Sequence, residues 1–290
     1  MSSTEDEHPL DAAVRAAQAG LVAAGVLEPR ALFLLGTGAG LLPLRLKESA
    51  RTSLAAIPGV PTAWRGAQLH AGLLGDLPCW ILEDAPGPPD RGALPEADEP
   101  PWVSGFPCWL AAAGGAAVLV HTSAGATLVP EIPPASIAVV SDHLNLSGRT
   151  PLLGLSASKL GPLFPDLGRL HHGALRARAI AIGGEIGLAA REAVAAASPG
   201  PALETPAERR FFARAGAQVV VQGLEGPLLS AAHAGLAVLA IVCVTDRGEG
   251  EIDLGQIVAA AERLAPGVED LLLRLSPEIA RVADEQEVEA

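Results

Sequence analysis

Short apolar runs alternate with amphipathic stretches along most of the chain. Residues 12–26 space their apolar side chains as a helix does, and residues 31–35 are apolar at every position and run into glycines. Residues 78–82, 116–120, 137–140, 218–221 and 238–244 repeat that short aliphatic or β-branched pattern. A strand that is apolar throughout has both faces buried, which requires cover on each side of the sheet. Helical patterns fall at 175–186, 206–215, 227–234 and 257–264, with another near 268–282. The alternation predicts one α/β domain over residues 9–284. Residues 1–8 are acidic and polar and are expected to be disordered, and 285–290 read as an acidic tail. Residues 84–101, rich in proline and acid and without periodicity, read as a long exposed loop.

Composition narrows the function classes. Hydrophobic residues make up 49% of the chain, ample for a core, but Tyr is absent, so Ala, Leu and Val must do most of the packing. The net charge of −13 and the lack of any basic stripe argue against a nucleic-acid partner, because a phosphate backbone has to be neutralised by cations. Cys79, Cys108 and Cys243 are far apart and show no metal spacing, so they read as buried reduced thiols and no metal site is expected. The N-terminus lacks the basic start of a secretory signal, and no apolar run reaches the ~18 residues that span a bilayer. A cytoplasmic protein without membrane contact is the expectation.

Several stretches carry candidate chemistry. Gly36-Thr37-Gly38-Ala39-Gly40 follows the first expected strand, where closely spaced glycines let backbone amides approach an anion. Leu41 breaks the dinucleotide fingerprint, which speaks against a nicotinamide enzyme. Ser156-Ala-Ser-Lys159 fits the SxxK pattern of serine acyl enzymes without its companion motifs, and chance explains it better. His171 and His172, adjacent on the chain, share no helical face and read as surface or interface residues. Gly200-Pro201-Ala202-Leu203-Glu204-Thr205-Pro206-Ala207-Glu208 is more specific. Thr205 can cap a helix begun by Pro206, with Glu208 closing a capping box, and this leaves Glu204 in the preceding loop facing a pocket.

That last stretch resembles the GPxFETPAE signature of the purine nucleoside phosphorylases of the trimeric type. Others follow in the family's order. Gly36–Gly40 resembles the GSGLG phosphate loop and Ile57-Pro58-Gly59-Val60-Pro61 the IPGFP segment. Thr122-Ser123-Ala124-Gly125 resembles the NAAG of TNAAGG, and residues 142–148 resemble DHINLTG. Residues 233–246 resemble the closing RHAGL…VTN. The resemblance spans roughly residues 31–275. It implies a three-layer α/β/α phosphorylase-type fold with a central mixed β-sheet, often assembled as a homotrimer. It also implies phosphate-dependent cleavage of a purine nucleoside to free base and pentose 1-phosphate. No organic cofactor is implied, and inorganic phosphate serves as co-substrate.

Residue by residue, the resemblance places Glu204 against the purine ring and Asp246 where many members carry Asn. Relatives resembling methylthioadenosine phosphorylase carry Asp there and prefer 6-amino purines. Leu254 stands where a His meets the ribose 5′-hydroxyl, and an apolar residue suits a 5′-deoxy or 5′-thioether group. Thr37 and Ser123 align with phosphate contacts, and Gln222, Gly223 and Thr245 fall at substrate-lining positions. The phosphate side departs from the family. The Arg and His of GRFH have no counterpart near residues 84–89, the hydroxyl of MST is lost at Gly223, and the aromatic that crosses the trimer contact is replaced by Leu160. Loss of an arginine removes a bidentate contact to the anion. Arg65 and Arg91 are the candidate replacements. The sequence leaves open a phosphorylase with a rebuilt phosphate site and a member that binds purine or nucleoside without turnover, while hydrolysis by water at the vacated site has no positioned general base to support it.

Overall fold

The computed structural model describes residues 7–36, 39–83, 99–247 and 254–289, apart from the side chains of residues 254, 287 and 289. Among the described residues nine strands form one mixed sheet in the order β2-β3-β4-β1-β5-β8-β7-β6-β9. They are β1 (Ala31–Leu35), β2 (Lys47–Ser53), β3 (Gln68–Leu74), β4 (Leu77–Glu83), β5 (Val118–Thr127), β6 (Ser136–Asn145), β7 (Ala190–Ser198), β8 (Val219–Gln222) and β9 (Ala237–Asp246). β9 also pairs with β5, in parallel from Val118↔Ala237 onward, so five of the strands close into a ring while β2, β3, β4 and β1 extend from it. The helices are α1 (Pro9–Ala23), α2 (Phe106–Ala113), α3 (Gly173–Glu185), α4 (Pro206–Arg214), α5 (Glu225–His233) and α6 (Leu254–Glu289).

The continuously apolar strands are explained by two cores on opposite faces of the sheet. In β1, Leu32 and Leu34 join α1 and α2 on one face, while Ala31, Phe33 and Leu35 join α3 and α6 on the other. β9 divides the same way, with Val238, Ala240, Val242 and Val244 on the first face and Ala237, Leu239, Ile241 and Cys243 on the second. Side chains alternate along a strand, so helices on both faces demand an apolar residue at every position. The expected three layers with a central mixed sheet are present.

Four elements lie outside the sequence expectation: β2, β3, β7 and α2. β2 is polar and largely exposed at the sheet edge, and β7 (Ala-Arg-Glu-Ala-Val-Ala-Ala-Ala-Ser) has the composition of a helix. Pairing of β7 with β6 and β8 overrides that propensity. The two helices expected at 257–264 and 268–282 are one, α6, which contains Pro266 and Pro277 and continues to Glu289 through the segment read as a tail. At the other end, His8 is ordered, its Nδ1 accepting from the Leu10 amide as the cap of α1. Most of the expected 84–101 loop, with Arg91, lies outside the described residues. Among the described residues no helix is long and apolar enough to cross a membrane.

Two motifs resolve into structural roles. Ser158 Oγ donates to Asp11 at 2.6 Å and the Lys159 amide donates to the same carboxylate at 2.8 Å, so the SxxK stretch ties a loop to α1. His171 corrects the surface reading. It is 8% exposed, with Nε2 lying 3.1 Å from Nδ1 of His143, while His172 caps α3. Burial, reinforced by His143, pushes the His171 pKa down to about 4 from 6.5. The folded protein therefore refuses a proton that the unfolded chain accepts, and stability is lost as pH falls from about 6.5 toward 4. Thermal melts between pH 7 and 4.5 should show that fall, and His171→Asn should flatten it by on the order of 5 °C. Parallel pH profiles for the two proteins would exclude His171 as the cause.

Candidate active site

The site is assembled where β1 and β5 end. The Gly36 amide donates to the Thr122 carbonyl at 2.8 Å, and a Cβ at position 36 would sit 2.6 Å from that oxygen. Only glycine lets the two strand ends close up there. Ser123 then opens onto a cleft of about 250 Å³, whose walls include Gly36, Ser123, Glu204, Arg209, Gln222 and Asp246, with Leu203, Thr245 and Ile257 among the rest. The Ser123 hydroxyl is buried with no partner among the described residues. β5 runs from Ser123 to Ala126, which pairs with Val220 and Asp246. Three residues of strand separate the Ser123 end from the Asp246 end by roughly 10 Å.

Glu204 is fixed by the segment that follows it. Thr205 and Glu208 form the expected capping box, with the Thr205 amide donating to Glu208 at 2.7 Å, and Pro206 starts α4. This holds Glu204 at the mouth of the helix, its side chain only 6% exposed. Ser198, the last residue of β7, donates from Oγ to Glu204 Oε1 at 2.5 Å, and Gln222 Nε2 donates to the same oxygen at 3.4 Å. Gln222 is itself held by the Ala202 carbonyl at 2.8 Å. Thr245 Oγ lies 2.9 Å from Asp246 Oδ2 and 3.2 Å from the Gly125 carbonyl.

Arg209 is the residue that motif reading missed. Its Nη2 lies 3.4 Å from Glu204 Oε2 and 3.8 Å from Asp246 Oδ1, and its side chain is 10% exposed. A buried cation between two carboxylates offsets their mutual repulsion. The signal was present in the sequence: the capping box fixes the start of α4, and Arg209, one turn in, projects back toward the loop that holds Glu204.

The structure thus brings together Ser123, Glu204, Gln222, Thr245 and Asp246. Gly223 follows Gln222 with φ +73° and does not line the cleft. Thr37 lies outside the described residues, as does the side chain of Leu254. Arg65 is exposed, donates to the Val60 carbonyl at 3.2 Å and is not among the residues that line the cleft. Leu160 packs against the chain's own core. Chemically, the cleft offers a hydroxyl at one end and hydrogen-bond acceptors backed by a cation at the other.

The model of the phosphorylase superfamily matches residues 30–276. Purine nucleoside phosphorylase 1 of Geobacillus stearothermophilus is 32% identical over 227 residues, covering 78% of this chain and 81% of its own. Purine nucleoside phosphorylase 1 of Bacillus subtilis is 28% identical over 227 residues, covering 78% and 82%. The solved Schistosoma mansoni purine nucleoside phosphorylase in complex with adenosine superimposes with a TM-score of 0.80 at 20% identity, covering 90% of this chain and 95% of that one, which supports the fold. A matching family model over most of the chain, ordered motifs and a cleft built from those motifs agree: this chain belongs to the purine nucleoside phosphorylase family of the phosphorylase superfamily.

Proposed function

We propose that the chain cleaves purine nucleosides with inorganic phosphate, releasing free base and pentose 1-phosphate, and that it favours 6-amino purines. The observation that carries this reading is Glu204, held by Ser198, Gln222 and Arg209 in the cleft that Ser123 and Asp246 also line. Glu204 accepts from one hydrogen of the purine's 6-amino group, since a glycosylated adenine carries no ring N–H. The Thr245 hydroxyl lies 2.9 Å from Asp246 Oδ2 and the Arg209 guanidinium 3.8 Å from Oδ1, so the Asp246 carboxylate offers acceptor oxygens at this end of the cleft. An acceptor there suits the amino group of adenine and leaves the 6-oxo group of hypoxanthine without a donor.

At the other end, Ser123 Oγ and the backbone at Gly36 meet phosphate. A phosphate oxygen bonds to C1′ as the glycosidic bond breaks, and the purine leaves with the electron pair and takes up the proton that hydrogen phosphate gives up. Arg209 is the cation at the base end of the cleft. No metal takes part in this reading. Assembly as a homotrimer and a cytoplasmic setting belong to the same reading, and light scattering of the purified protein tests the first.

The experiment is release of free base from inosine, adenosine and methylthioadenosine, each with and without phosphate. Cleavage only with phosphate is expected, with kcat/KM for adenosine about tenfold above inosine or more, the scale of one hydrogen bond to a charged group. No base from any nucleoside, in a folded sample, overturns the reading. A preference for inosine overturns the role given to Asp246. Ser123→Ala should raise KM for phosphate about tenfold, because a hydroxyl donor is lost to an anion. An unchanged KM removes Ser123 from the phosphate end.

A further inference from the structure

Beside the base cleft lies a second one, of about 380 Å³, entered between α4 and the end of β9. Arg209, Arg210 and Arg247 line it, together with Thr127, Val129 and Pro206 among others, and no carboxylate stands in its described wall. That is an unusual surface for a chain with a net charge of −13. Arg210 and Arg247 are exposed and make no ion pair among the described residues. Three guanidinium groups facing one hollow repel one another unless an anion joins them.

Arg209 supplies the second, independent observation. Its residue is 8% exposed, and Nε and Nη1 are buried without a hydrogen-bond partner among the described residues. A buried guanidinium donor left unpaired carries its full desolvation penalty, and so marks a place where a partner is missing. The Glu204 and Asp246 carboxylates engage only Nη2. Among the described residues Arg209 is also the one charged residue common to both clefts.

We propose that this outer cleft binds a small multivalent oxyanion, a phosphoryl or polycarboxylate group, at a position separate from the phosphate end at Gly36 and Ser123. Planar guanidinium groups match either oxyanion with paired hydrogen bonds. The bound anion draws on the same guanidinium that Glu204 and Asp246 share. Occupancy of the outer cleft therefore alters how the base end holds a purine, and purine alters anion affinity by the same factor.

The test is calorimetric titration of pyrophosphate, and separately of citrate, at constant ionic strength into the full chain and into an Arg210→Ala/Arg247→Ala variant. The variant keeps Gly36, Ser123 and Arg209, so any binding at the phosphate end appears equally in both proteins. At least one probe should bind the parent about tenfold tighter or more than the variant, the scale of a lost charge-assisted contact. Pyrophosphate alone doing so assigns the cleft to phosphoryl groups, and citrate alone to polycarboxylates. Identical isotherms for parent and variant, or no heat from either probe, overturn the site. In the same samples the favoured probe should change KM for adenosine in the parent and not in the variant, whose turnover without probe stays at the parent level. An unchanged KM in the parent overturns the coupling through Arg209. The binding arm requires no turnover, so it stands or falls apart from the proposed phosphorolysis.

Discussion

Replacing Glu204 by Gln is expected to lower kcat/KM for adenosine phosphorolysis by about a hundredfold, the range seen when one preorganised electrostatic contact is removed. The carboxylate accepts at both oxygens: from Ser198 and Gln222 at Oε1 and from Arg209 at Oε2. An amide of the same shape carries one acceptor oxygen and one NH2 group. Either orientation turns NH2 hydrogens toward a donor already in place, against the Ser198 and Gln222 side or against Arg209. Arg209 also loses one of two anionic partners while remaining buried, which is the expensive way to break an ion pair. Steady-state base release checks this, with melting temperature measured alongside. A variant within about threefold of the parent would mean that Glu204 does not hold the base.

The second large effect is on folding. Gly59→Ala is expected to cost about 3 kcal/mol, lowering the melting temperature by roughly 10 °C. Gly59 has φ +76°, where a side chain is strained, and an added Cβ would lie 2.4 Å from the Ala13 carbonyl and 2.8 Å from the Ala16 Cβ. The obstructing atoms belong to α1, whose Leu10, Val14, Ala17 and Leu21 are seated in the core, so the helix cannot step aside cheaply. Site distances are not touched by this change. Turnover per folded molecule should hold at low temperature while denaturation shifts. A melting temperature within 2 °C of the parent's would refute the packing argument.

Gly59 shows why so much of the fold was legible. The Ile57–Pro61 stretch was recognisable because its glycine answers a local demand, positive φ under a helix, that any chain folding this way must meet. The strands β1 and β9 were equally plain, since two covered faces leave no polar positions to confuse the pattern. β7 was not, because its alanines favour a helix and only pairing with β6 and β8 overrides that preference. In the site, Glu204 could be placed because a capping box pins the helix after it. The same box puts Arg209 near Glu204, but its closeness to Asp246, thirty-seven positions away and on another element, could not be read. The phosphate end was hardest to read. Thr37 and Arg91 lie outside the described residues, and Arg65, a substitute offered by sequence order, bonds the Val60 carbonyl instead.

The three cysteines have a practical consequence. Cys79, Cys108 and Cys243 are all buried and form no disulfide, and burial raises the thiols of Cys79 and Cys243 to about 12. Alkylating reagents attack thiolate, so the folded protein is in effect blank to maleimide chemistry at neutral pH. A single cysteine introduced on the surface becomes the one reactive handle, without first stripping out the native ones. A fluorophore attached there can report ligand arrival in real time on an otherwise unmodified molecule. The same label count, repeated during heating, reads out the moment when the sheet opens and its hidden sulfurs first meet reagent.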